Sequence, residues 1–132
     1  MRAAAAGLVY AVLVFGVGFV LGTIRVLILV PRMPATLAVL VETPAILAVS
    51  WWLSSWCSAR FGLERSTSAR LTMGIAAFTV LMLEELTLSV VLFARPVGAY
   101  LSSLVTVPGA IGLAAQVAFA FFPLLQARRR RA

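Results

Sequence analysis

Four charged residues of this 132-residue chain, Arg25, Glu42, Glu84 and Glu85, fall inside long apolar stretches. A charge in hydrocarbon is costly and is by default a candidate functional group. Carboxylates in such surroundings can hold a proton or a cation, and a nearby guanidinium can neutralise one of them. Three carboxylates facing one arginine are the makings of a proton or cation site. Arg95, in a short turn, is a candidate outer partner for a second carboxylate. With three glutamates to neutralise, at least one is expected to be protonated at neutral pH. The plainer reading makes Arg25 and Glu42 a structural clasp, with Arg25 also able to reach the headgroups along its aliphatic stem.

Other chemistries are excluded by what the chain lacks. Every basic residue is Arg and every acidic one is Glu; there is no His, Lys or Asp. That removes His-based metal or haem ligation and any Ser-His or Cys-His catalytic pair. It also removes an intramembrane aspartyl dyad and a lysine Schiff base. No cofactor or metal site is expected, and no enzyme activity. The single Cys57 cannot form an internal disulfide. The net charge of +7 does not point to nucleic acid. The arginines are scattered over the ends and connections of apolar segments, as in membrane proteins, and no basic face with base-reading side chains is left over.

The elements that must position these charges are legible from hydropathy. The chain is 63% hydrophobic and 11% charged, with mean hydropathy +1.09. Soluble domains carry roughly 25% charged residues. The pattern predicts an all-α fold: a four-helix transmembrane bundle, up-down-up-down, forming one integral membrane domain over residues 1–132. Helices are expected at about residues 4–30, 35–56, 71–93 and 100–125, each long enough to cross roughly 30 Å of hydrocarbon. The first is read as an uncleaved span, because its apolar run exceeds a signal core and no small-x-small site follows. Pro31 and Pro34 bound the first turn, and kinks are expected at Pro44 and at Pro108-Gly109. Trp51, Trp52 and Trp56 suit a headgroup belt. The polar connection RFGLERSTSAR, including Glu64, separates the two hairpins. Arg2, Arg60, Arg65, Arg70 and Arg128 to Arg131 fall on one side; Arg25, Arg32 and Arg95 belong to the other. The excess places both termini in the cytoplasm.

At 1.5 Å rise per residue, Arg25 lies roughly 7 Å below the outer end of its helix, and Glu42, Glu84 and Glu85 roughly 12 Å below theirs. Three helices thus bring charge to one level. Gly7, Ala11, Gly18, Gly22 and Arg25 share a stripe of the first helix, and small residues at such spacing let helices approach closely. Gly18 and Gly22 are therefore expected at a helix contact. Arg25 leans inward and Glu42 outward along their helices, so their heads should converge. Glu84 and Glu85 are roughly 100° apart and should not point to one spot. Gly109, Gly112 and Gln116 form a second packing stripe. Counted along one continuous fourth helix, Gln116 falls deeper than the charges and reads as interhelical glue.

The segments GTIRVLILVPR, VETPAILAVSW, LTMGIAAFTVLMLEE and PGAIGLAAQVAFAFFPLL together resemble small four-span proteins of the bacterial inner membrane. The resemblance covers nearly the whole chain, implies a multi-pass inner-membrane location and carries no activity with it. The expected function is that of a structural or accessory membrane subunit. The alternative is a small oligomeric proton-coupled transporter or channel that uses the intramembrane glutamates. The bilayer is the expected partner. Four spans leave little room for a private pathway, which points to a homodimer or a larger membrane complex.

Overall fold

A computed structural model describes residues 2–29, 31–63, 67–92 and 94–131, without side chains beyond Gln126. The helix ends expected at Val30 and Phe93, the loop residues Glu64 and Arg65, and the side chains of Arg128 to Arg131 lie outside the described residues. Among the described residues the chain is all helical. Helix α1 spans Arg2–Ile24 and continues as a π-helical turn over Arg25–Leu29. Helix α2 spans Ala35–Arg60 and α3 spans Thr67–Thr87, the latter continuing as a second π turn over Leu88–Leu92. A short α4, Val97–Ser103, precedes α5, Val107–Arg131. Four helical stretches, Arg2–Leu29, Ala35–Arg60, Thr67–Leu92 and Val107–Gln126, are long and apolar enough to cross a membrane.

Local chemistry explains the boundaries. Pro34 and Pro96 precede α2 and α4 with extended ψ values of 150° and 152°. Proline lacks the N–H that a helix start leaves unused, so it costs little there. At its other end α2 closes in a left-handed turn. Gly62 has φ 71°, its N–H reaches the Ala59 carbonyl, and the Leu63 N–H reaches Ser58 at 2.8 Å. This satisfies carbonyls that the last helical turn would otherwise orphan. Leu63 then buries itself at 5% exposure.

The fourth expected helix is the main correction. It is not one helix kinked at Pro108-Gly109. It breaks at Leu104–Thr106 into α4 and α5. Pro108 falls in the first turn of α5, where its missing N–H removes no bond, so it begins a helix rather than bending one. Thr106 caps that start, its Oγ1 accepting from the Gly109 N–H at 3.3 Å. A Cβ at Gly109 would overlap the Ser103 carbonyl. The glycine thus permits the tight return from α4, not a contact between spans.

We call the end carrying both proline turns the upper end. The closed core lies in the lower half, where Tyr10, Ala11, Leu53, Cys57, Met73, Ala77 and Phe119 are buried. Helix α1 packs chiefly on α3, and α5 lies against α2 and α3. Two glycines set these crossings. A Cβ on Gly7 would lie 2.6 Å from the Met73 carbonyl, and one on Gly74 would overlap the Ala120 carbonyl.

Pro123 organises the lower end further. Inside α5 it cannot donate to the carbonyl of Phe119, four residues earlier. The Tyr10 hydroxyl donates to that carbonyl at 2.9 Å, and the two rings stack 4.1 Å apart. Arg70, counted above among the residues of the polar connection, is instead 1% exposed within α3. Its Nε donates to Leu63 O at 3.2 Å and its Nη1 to Pro123 O at 3.1 Å. Gln126 Nε2 donates to Trp51 O, and its Oε1 accepts from Ser54 Oγ at 2.9 Å. Of the three tryptophans, Trp52 and Trp56 are exposed, while Trp51 packs edge-on against Phe122.

Candidate functional site

Above the Tyr10–Phe119 pair the helices part around a cavity of about 900 Å³ that is open at the surface rather than enclosed. Its walls come from α1, α2, the upper end of α3, α4 and α5. Most of the lining is apolar, and charge enters from two sides.

On one side Arg25 Nη1 donates to Glu42 Oε2 in a salt bridge. Arg25 stands at the first residue of the π turn, and Glu42 stands two turns into α2. The guanidinium side chain is 32% exposed and the carboxylate 12%. The convergence expected from depth, face and side-chain lean is present. A π turn widens the helix by one residue and recurs at functional sites; here it begins at the arginine.

The other side is built on Glu85. Gln116 Nε2 donates to both of its oxygens at 2.6 Å, and the Tyr100 hydroxyl donates to Oε2 at 3.3 Å. Three elements, α3, α4 and α5, thus meet at one carboxylate held by neutral donors. Arg25 lies close enough to act on Glu85 electrostatically. Ser89, four residues on and inside the second π turn, lines the cavity at 7% exposure, and its Oγ has no hydrogen-bond partner among the described residues. Gln116 Oε1 is likewise buried and unpaired among the described residues.

The remaining expected residues divide. Glu84 does not line the cavity; it points elsewhere, with Oε2 buried and without a hydrogen-bond partner among the described residues. Adjacent helical residues diverge by roughly 100°, so one carboxylate of the dipeptide reaches the cavity and the other does not. Arg95 lines the upper rim, exposed, and forms no ion pair with a described residue. Gln116 has the interhelical bond expected of it, joining α5 to α3, but its depth is corrected: its partner is Glu85 in the charge cluster. With α5 beginning at Val107, Gln116 is nine residues into its helix, roughly 14 Å down and level with Glu85. Counting from Tyr100 had placed it a further helical turn and more below.

Gly18 and Gly22 make no close backbone approach to another described helix. Among the described residues, a Cβ on Gly18 would find only Ile46 Cδ1 at 3.8 Å, and one on Gly22 only the Arg25 guanidinium at 3.7 Å. Both line the cavity, as does Gly112, whose Cβ would meet nothing within 4 Å. The small-residue stripe packs at Gly7 and Ala11 and opens above them, because the spread of the helices around the cavity leaves no described backbone close by. Sequence reasoning missed Tyr100, since the break before α5 is what turns α4 toward Glu85. Ser89 carried a signal, its spacing of four from Glu85, that alone could not separate a site residue from a packed one.

Among the described residues no group of three or more His, Cys, Asp or Glu is placed to hold a metal ion. No family model, curated protein or solved structure matches the chain, so its reading rests on this geometry. The fold defines an all-helical protein with four helices able to span a membrane. They surround a cavity that carries an ion pair and a second, neutrally ligated carboxylate.

Proposed function

We propose that this chain is a small proton-coupled transporter or channel of the bacterial inner membrane, built up-down-up-down with both termini in the cytoplasm. The observation that carries the reading is the cavity itself. It is a half-open cleft of about 900 Å³ that brings Glu42, Glu85 and Arg25 to one space between apolar helices. The arginine excess on the side of Arg2, Arg60 and the tail supports the orientation, which sets the cavity in the outer half with the packed Tyr10–Phe119 pair on its inner side. A homodimer of this chain is the proposed working unit, because four spans give one protomer little pathway of its own.

The test is proton flux into liposomes containing the purified chain. Flux above protein-free liposomes is expected, with a large reduction in Glu85→Gln and a smaller one in Glu42→Gln. Flux equal to that of empty liposomes, or unchanged by either substitution, would return the chain to a purely structural role.

A further inference from the structure

We propose that α3 carries the contact surface of the homodimer, and that Glu84 and Thr87 of one copy meet the same two residues of a second copy across a two-fold axis along the membrane normal. The inference rests on the reading above in taking a homodimer as the working unit; the surface itself stands whether or not the chain moves protons.

Met73, Ala77, Val80, Glu84 and Thr87 recur along α3 at spacings of four and three, which is the period of a helix-packing seam. The lower part of this seam is occupied by α1. Met73 and Ala77 are fully buried, and a Cβ on Gly7 would meet the backbone of both. Cover then runs out. Val80 and Glu84 are half-buried, Thr87 is exposed, and Val91, four residues higher, is 76% exposed. The uncovered part is not plain hydrocarbon surface. Glu84 stands eight residues below Leu92, roughly 12 Å inside the span. Its Oε1 reaches the surface beside the buried Oε2, and neither bonds to a described residue. Thr87, one turn up the same seam, has a hydroxyl with no hydrogen bond to a described residue, whereas Thr72 and Thr79 return theirs to their own helix.

Lipid tails offer neither donor nor acceptor, so a carboxyl at this depth is costly until another chain supplies a partner. A second copy supplies one with no further residue. Copies inserted in the same orientation set equal residues at equal depth. A two-fold axis then brings α3 against α3 in parallel, with the two Glu84 carboxyls level. Side chains lean toward the start of their helix, so Thr87 of each copy leans down toward Glu84 of the other. A hydroxyl both donates and accepts, and so serves the carboxyl with or without a proton. The contact is isologous, with Val80 closing it below and Val91 above. Glu85, the next residue, is turned to the cavity. The Glu84-Glu85 dipeptide thus serves two sides of one helix, one carboxyl for the cavity and one for the second copy.

The test uses the full chain in liposomes, with Cys57→Ala as the parent so that single cysteines can be placed. Val91→Cys should cross-link to itself on oxidation. Ile75→Cys, also exposed but on the opposite side of α3, should not. Energy transfer between donor- and acceptor-labelled copies, diluted in lipid, gives the dimer affinity. Thr87→Val is expected to weaken it at least about threefold, the scale of a hydrogen bond between membrane helices. Monomer stability should not fall, since that hydroxyl has no described partner to lose; this variant keeps the test valid if Glu84 variants fold poorly. Glu84→Leu should weaken the dimer at least about tenfold, and Glu84→Gln, which keeps a hydrogen-bonding head, should stay within about threefold of the parent. A monomeric parent, cross-linking at Ile75→Cys but not at Val91→Cys, or parental affinity in Thr87→Val would overturn the proposal. So would capture of another membrane protein by Val91→Cys, in place of itself, in native membranes. Glutamate-dependent proton flux from a chain that stays monomeric would remove this interface and leave the transport reading. A dimer that meets these criteria without flux would uphold the interface and remove transport.

Discussion

Removing Arg25 should destabilise the fold more than removing Glu42, and removing both should cost less than removing Arg25 alone. Breaking a fully buried ion pair costs about 3–5 kcal/mol, because one charge is left uncompensated. An exposed pair is worth about 0–1 kcal/mol. The pair here lies between, at 32% exposure for the arginine side chain and 12% for the glutamate. Arg25→Leu strands the deeper partner and should cost about 2–3 kcal/mol. Glu42→Leu strands a guanidinium whose long stem can carry it upward to water, and should cost about 1 kcal/mol. Replacing both with leucine leaves apolar surface against apolar surface, which is often neutral. The double variant should thus sit within about 1 kcal/mol of the parent, with a coupling of roughly 2 kcal/mol. The assay is a double-mutant cycle on unfolding by a denaturing detergent in mixed micelles at pH 7. Additive losses would mean that the pair does not form in the folded protein, and the charged cavity wall on the α1–α2 side would have to be redrawn.

At the lower end, Tyr10→Phe should cost about 1–2 kcal/mol by orphaning the Phe119 carbonyl. It should cost less in a Pro123→Ala background, where residue 123 regains an N–H for that carbonyl; the same detergent titration reads both. Gly74→Val should lower stability by at least about 2 kcal/mol, because its side chain would overlap the Ala120 carbonyl and overpacking is costly. Gly18→Ala, with only Ile46 near its added methyl, should stay within about 0.5 kcal/mol of the parent. Reporter fusions at Met33 and Val97 should read as periplasmic and one at Gly62 as cytoplasmic; the opposite readout at Gly62 would invert the proposed orientation.

Hydropathy and charge alone determined that this chain has four helices able to cross a membrane, where the proline turns fall, and that Arg25 and Glu42 share a level and a side. Those follow from helical rise, helical period and side-chain lean, which act within one hairpin and need no knowledge of the other. The sequence also showed that Glu84 and Glu85 must part, but not which of them turns inward, since that depends on how α3 is rotated against its neighbours. Three further things belong to the tertiary structure. The break at Leu104–Thr106 sets the depth of Gln116, and a proline reads alike in sequence whether it kinks a helix or begins one. The glycine stripe of α1 packs at Gly7 and lines open space at Gly22, because identical spacing gains a close contact only where another backbone approaches. The cavity is a property of all the spans at once: it is where packed faces end, and no single helix records the space between itself and the rest.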